Sequence, residues 1–78
     1  MATQPLRLIH RPEALPIRSI EHWLNKTDQE IIKSLDPNGS DPLIVRQDGA
    51  VMNGNTRIFI LRGRGFEVDN LPRKPYED

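Results

Sequence analysis

Ile17, Ile20, Trp23 and Leu24 recur at the offsets that place four side chains on one side of a short helix. A second helix, Asp28 to Leu35, is predicted behind Thr27-Asp28-Gln29-Glu30, which has the form of a capping box. Ile31, Ile32 and Leu35 give it an apolar face, and Asp36-Pro37-Asn38-Gly39 stops it, since proline cannot continue a helix and Asn-Gly tolerates positive φ. From Pro42 the pattern turns strand-like. Leu43, Ile44 and Val45 make a short buried run inside a strand from Pro42 to Arg46. Gln47-Asp48-Gly49 is a tight connection with glycine where a left-handed residue is expected, and Ala50 to Asn53 returns as the second strand of a hairpin.

The block Ile58-Phe59-Ile60-Leu61 fits strand or helix by pattern alone. Three features favour a helix: Asn55 or Thr56 can cap its start, Gly65 can end it in the left-handed region, and arginines fill its last turn. The β-branched residues and Gly63 argue mildly the other way. Phe66 to Tyr76 contains Pro72 and Pro75 and is at best an edge strand. Met1 to Pro16 reads as irregular, because Pro5, Pro12 and Pro16 each fix a torsion and remove a donor. Within it, Leu6 to Ile9 alternates and admits an edge strand. The expected organisation is an irregular segment 1–16 and one domain, 17–78, of α+β class: a small mixed sheet with a β-hairpin and packed helices.

Seventy-eight residues allow one domain, and a chain so short covers only about 60 % of the surface its unfolded form exposes. Disulfides and thiolate metal sites are excluded by the lack of cysteine, and His10 and His22 are not at metal-ligand spacing. A homo-oligomer or a protein partner is therefore the expected source of extra stability. No apolar run approaches the roughly 18–20 residues of a membrane span, and Met1 to Leu15 has no continuous apolar core that would read as a secretory signal. A cytoplasmic protein without membrane attachment is the expectation.

The formal charge is zero, but unevenly spread. Arg46, Arg57, Arg62, Arg64, Arg73 and Lys74 face only Asp48, Glu67 and Asp69, whereas Asp28, Glu30, Asp36 and Asp41 face only Lys33. Local basic surface attracts phosphates even on a neutral molecule, and arginines on a solvated face are the alternative.

Candidate chemistry converges on Asn53-Gly54-Asn55-Thr56-Arg57, between a strand and a helix. Gly54 lets a backbone pass close to a ligand. The following helix start offers unpartnered amides and a partial positive charge. Arg57 can take a phosphate bidentately, Thr56 supplies a hydroxyl, and Asn53 and Asn55 supply amides. The alternative is a turn glycine, a capping Asn or Thr, and a surface arginine. Arg46, Arg18 and Arg64 are possible accessory cations.

The run "DPLIVRQDGAVMNGNTRIFILRGRG" resembles the ParB N-terminal domain, whose superfamily includes sulfiredoxin and ParB-related nuclease-like and kinase-like proteins. The likeness covers roughly Ile17 to Tyr76. It rests on the Pro-Leu-x-Val-Arg strand, the glycine hairpin and the Gly-x-x-Arg turn that opens a helix. It implies a ParB/sulfiredoxin-like fold and a nucleotide-phosphate role for Gly54 and Arg57. The sulfiredoxin-like cysteine is absent, which removes that reductase chemistry. Asn55 and Thr56 stand where the ParB turn commonly carries a carboxylate, so neither can act as a base or metal ligand. Arg18 lies near the place of the family's first arginine box, and a ParB-type helix-turn-helix is not expected within these residues.

Three functions follow as expectations. The first is a stand-alone ParB-like module that binds a nucleotide, or a nucleic-acid phosphate, at Gly54–Arg57 without efficient turnover. The second is a degenerate member kept as a protein-interaction module or as the small partner of a two-component system. The third is a metal-dependent nuclease or phosphotransferase, using Mg²⁺ if Asp36 and Asp41 are brought to Gly54. Gly54 is expected at positive φ or tightly packed, Arg57 pointing to solvent near an anion, and Trp23 buried.

Overall fold

The computed structural model describes residues 4–77; the ends of the expected segments at 1–3 and 78 lie outside it. The chain forms a four-stranded mixed sheet and three α-helices, an α+β architecture. Its strands are β1 (Arg7–Leu8), β2 (Ile44–Val45), β3 (Ala50–Asn53) and β4 (Lys74–Pro75), in spatial order β1-β3-β2-β4. The helices are α1 (Ile17–Leu24), α2 (Asp28–Ser34) and α3 (Asn55–Gly63), with single 3-10 turns at Pro12–Ala14 and Val68–Asn70. Among the described residues no helix is long and apolar enough to cross a membrane.

The hairpin β2–β3 is the centre of the sheet. Gly49 takes φ +92° in its turn, and a Cβ there would stand 2.1 Å from the Pro5 carbonyl oxygen, so only glycine fits. Asp48 holds the same turn: its Oδ1 accepts from the Ala50 amide at 3.0 Å and its Oδ2 from Arg7 at 3.1 Å. The bond from the Ala50 amide, with the nearby arginines, keeps this carboxyl below its usual range. Opposite β2 the register shifts by one, since Val45 faces Val51 but Ile44 faces Asn53. Met52 is the extra residue of a bulge, which turns the end of β3 just before Gly54.

β1 and β4 close the two edges, each parallel to its neighbour, so the segment ahead of Ile17 belongs to the same packed body. Leu6 and Leu15 are buried, which corrects the expectation of an irregular segment outside the domain. The pattern of Leu6 to Ile9 carried the strand, and the prolines only bounded it.

α2 begins with both halves of the capping box. Thr27 Oγ1 accepts from the Glu30 amide at 3.1 Å, and Glu30 Oε1 accepts from the Thr27 amide at 3.2 Å. The Thr27 backbone bond, then its hydroxyl, lowers the Glu30 carboxyl below its ordinary range. Beyond α2 the stop works differently from expectation. Among the described residues no non-glycine residue has positive φ, nor does Gly39; Asp36 makes the turn by accepting from the Asn38 amide at 2.8 Å.

α3 ends in a Schellman arrangement: Gly65 has φ +90°, its amide donates to Arg62 O, and the Phe66 amide donates to Leu61 O at 3.0 Å. Leu6, Ile31, Leu35, Leu43, Val45, Val51, Ile58, Ile60, Leu61 and Val68 form one core between helices and sheet. α1 has α3 as its main neighbour and buries no residue. Ile17 (72 % exposed) and Leu24 (54 %) point away from the core, and Trp23 is half-buried, not enclosed as expected.

Candidate functional site

The bulge and a single glycine bring β3 into α3. Gly54 sits at φ 110° and ψ 11°, a left-handed conformation that costs an L side chain about 1–2 kcal/mol. It is also crowded, because a Cβ would lie 3.2 Å from Leu35 Cδ2 and 3.3 Å from Leu43 Cδ1. Both parts of the expectation for Gly54 are met. The glycine is itself the cap of α3, with no side-chain cap, so neither Asn55 nor Thr56 plays that part. The first bond closing the helix runs from the Ile58 amide to Gly54 O at 2.9 Å, and the Asn55, Thr56 and Arg57 amides precede it.

Asn55 is a structural clip. Its Oδ1 accepts from the Ile9 amide at 3.0 Å and its Nδ2 donates to Val51 O at 2.8 Å, joining β1, β3 and α3. An amide is needed because the site demands one acceptor and one donor. Thr56 is only 9 % exposed and takes part in no side-chain hydrogen bond among the described residues.

Arg57 departs furthest from expectation. It is 3 % exposed and turned inward. Its Nη1 donates to Asp41 O at 2.7 Å and to Ser34 Oγ at 3.0 Å, its Nη2 pairs with Asp41 Oδ2 at 3.4 Å, and the guanidinium lies 5.1 Å from the centre of the Trp23 ring. Burial lowers its pKa, and Asp41 opposes that shift. The helix start faces inward here because Ser34, Asp41 and Trp23 together replace the water a guanidinium would otherwise need. The picture of Arg57 reaching into solvent toward an anion is therefore corrected: it is a strut tying α3 to α2, to the loop before β2 and to α1.

Beside it lies an open cavity of about 240 Å³, lined among others by His10, Ser19, Trp23, Asp41, Thr56 and Arg57. Gly54, Asn55 and Asn53 also line it, but the Asn53 amide is spent on Asp41 Oδ1 (2.8 Å) and Pro42 O (2.7 Å). Asp41 reaches the Gly54 turn and Asp36 does not; Asp36 borders a separate apolar cleft with Ile32 and Leu71. Among the described residues no group of three or more His, Asp or Glu could hold a metal.

The three accessory arginines do not meet at the turn. Arg46 lines a different cavity of about 330 Å³ with Gln47, Asp48 and Tyr76. Arg64, at the far end of α3, bonds Asp28 Oδ1 at 2.7 Å and the carbonyls of Lys26 and Leu24 at 3.2 Å. Arg18 stands exposed on α1 and is not among the residues lining the cavity. Sequence reasoning missed Ser34 as a partner of Arg57, along with the contributions of His10 and Ser19, because these contacts cross the chain and no local pattern announces them. The charge asymmetry held a partial signal. The acidic stretch supplies Asp41 and Asp28 to the basic stretch's Arg57 and Arg64, so the two imbalances partly offset one another.

Comparison of the chain with protein-family models, with curated proteins and with solved structures found no match in any of the three.

Proposed function

We propose that this α+β body is a ParB/sulfiredoxin-like module that binds one anionic group, a nucleotide or nucleic-acid phosphate, at the start of α3. The observation that carries the reading is the pairing of two features on one cavity: a helix start capped only by Gly54, and Thr56 beside it, whose hydroxyl takes part in no side-chain hydrogen bond among the described residues. Backbone amides there favour an anion, and Thr56 Oγ1 adds a neutral donor. Arg57 contributes by holding the turn in place and by neutralising Asp41, which would otherwise repel the ligand. This changes the role of the Gly-x-x-Arg resemblance from a phosphate clamp to a buttressed turn. No hydrolysis is proposed, as Asn55 and Thr56 carry no carboxylate.

Thermal melts with millimolar ATP, CTP, GTP and inorganic phosphate test the reading, since a ligand that binds only the folded state raises the transition. The expected rise disappears in Thr56→Val, and the amide resonances of residues 55–57 shift on titration of the wild-type chain. Melts that do not move with any of the four would overturn it.

The exposed side of α1, Ile17 and Leu24, favours a second reading as a protein-interaction module. Its mark is a concentration-dependent oligomer that Leu24→Ser returns to monomer.

A further inference from the structure

Residues 4–9 are bound to the body chiefly through their backbone. The Arg7 amide donates to Gly49 O at 2.8 Å, and Arg7 and Leu8 register with Ala50 and Val51 of β3. Around that short ladder, side chains take the remaining polar groups. Arg73 Nη1 donates to Gln4 O at 2.8 Å, Asp69 Oδ1 accepts from the Leu6 amide at 2.8 Å, Arg62 donates to Leu6 O, and Asn55 Oδ1 accepts from the Ile9 amide at 3.0 Å. Every one of these partners belongs to residues 49–73. Arg62 and Asp69 also pair with each other at 3.4 Å, so the outer edge of β1 is covered by a donor and an acceptor already aligned.

The result is a slot with one open strand edge, four polar side chains that read an extended backbone, and one apolar hole, filled by Leu6 at 3 % exposure. Recognition of this kind is strand addition: main-chain bonds hold the segment, and one pocket sets its register. Nothing in it requires that segment and slot share a molecule.

We infer that the slot also accepts residues 4–9 of a second copy, giving a strand-exchanged homodimer. The occupant is argued from the contacts themselves, because each copy carries the segment that fits and every bond above is remade with an identical group. The connection from Ile9 to α1 carries Pro12 and Pro16, which restrict the backbone on the way back to the same sheet. In addition, a chain of 78 residues with no cysteine gains through exchange the staple that such small domains commonly need. The slot lies on the β1 side of the sheet and does not depend on anion binding.

The 78-residue chain tests this directly. Refolding at millimolar concentration should give a dimer by size exclusion with light scattering. When copies with different isotope labels are refolded together, contacts should appear between Leu8 of one label and Val51 of the other. A dimer with only intramolecular Leu8–Val51 contacts, or one that Leu24→Ser dissociates, would refute the exchange. Deleting Arg11, Pro12 and Glu13 removes roughly 10 Å of reach; the expected product is an obligate dimer, and either a monomer that keeps the contact or a chain that folds at no concentration counts against the inference. A synthetic peptide of residues 4–10 should compete with the tethered strand, shifting the resonances of Asn55, Arg62 and Asp69, while its Leu6→Ala form should not. Absence of shifts from the unmodified peptide at millimolar concentration overturns the slot's ability to act in trans.

Discussion

Helix α1 carries the cleaner one-sided apolar pattern and buries nothing, whereas α3 is apolar around its middle, polar at its start, and buries six of its nine residues. The two are similar in length and pack on each other, so neither propensity nor size separates them. Position does. α3 leaves the interior strand β3 through one glycine and is laid straight back over the sheet, so even Asn55, Thr56 and Arg57 are carried under cover. α1 hangs between two connections and touches mainly α3. An apolar stripe states what a helix is able to bury; connectivity decides what it does bury.

The largest test of that contrast is Ile58→Ala. Ile58 is fully enclosed, and the truncation should cost about 2–5 kcal/mol in urea unfolding with an unchanged slope. A loss below about 1 kcal/mol would mean that α3 is not the core element described.

Arg57→Ala comes next, at roughly 2–4 kcal/mol, because it removes a buried guanidinium together with its bonds to the half-buried Ser34 hydroxyl and the Asp41 carbonyl. Asp41→Asn should cost under about 1 kcal/mol, since that carboxylate is half exposed and the carbonyl bond survives. If the two losses are equal, the ion pair outweighs the carbonyl and hydroxyl bonds, and the account of Arg57 as a strut must change.

Gly54→Ala should lose about 1–3 kcal/mol from the left-handed backbone and the close approach of Leu35 and Leu43. The smallest effect is expected on α1, where Leu24→Ser should stay within about 0.5 kcal/mol for the monomer, as exposed positions do. A larger loss there would show that the face is covered.

Legibility in the sequence followed the range of the interactions. The capping box at Thr27, the glycine turn at Gly49, the helical nature of Ile58–Leu61 and its end at Gly65 are all local, and each stands where the pattern placed it. β1 was visible only as alternation between prolines, because its bonding partners lie more than forty residues away. The site was harder to read. Gly54 was legible, as a turn glycine is a local requirement. Asn55 looks like a cap in one dimension and becomes a clip in three, and Arg57 looks like a surface cation until Ser34, Asp41 and Trp23 are folded around it. Charge along a chain does not say whether a guanidinium will meet solvent or a carbonyl.

Arg57, Arg62, Arg64 and Arg73 each donate to at least one main-chain carbonyl distant in sequence. A protonated guanidinium stays protonated across the whole working range of a protein, and a carbonyl has no formal charge for ions to screen. These four cross-links are accordingly indifferent to oxidants and only weakly responsive to ionic strength. Lysine, with a single ammonium nitrogen in place of a planar fork, does not reproduce the geometry at Arg57, Arg64 and Arg73, where two guanidinium nitrogens reach separate acceptors.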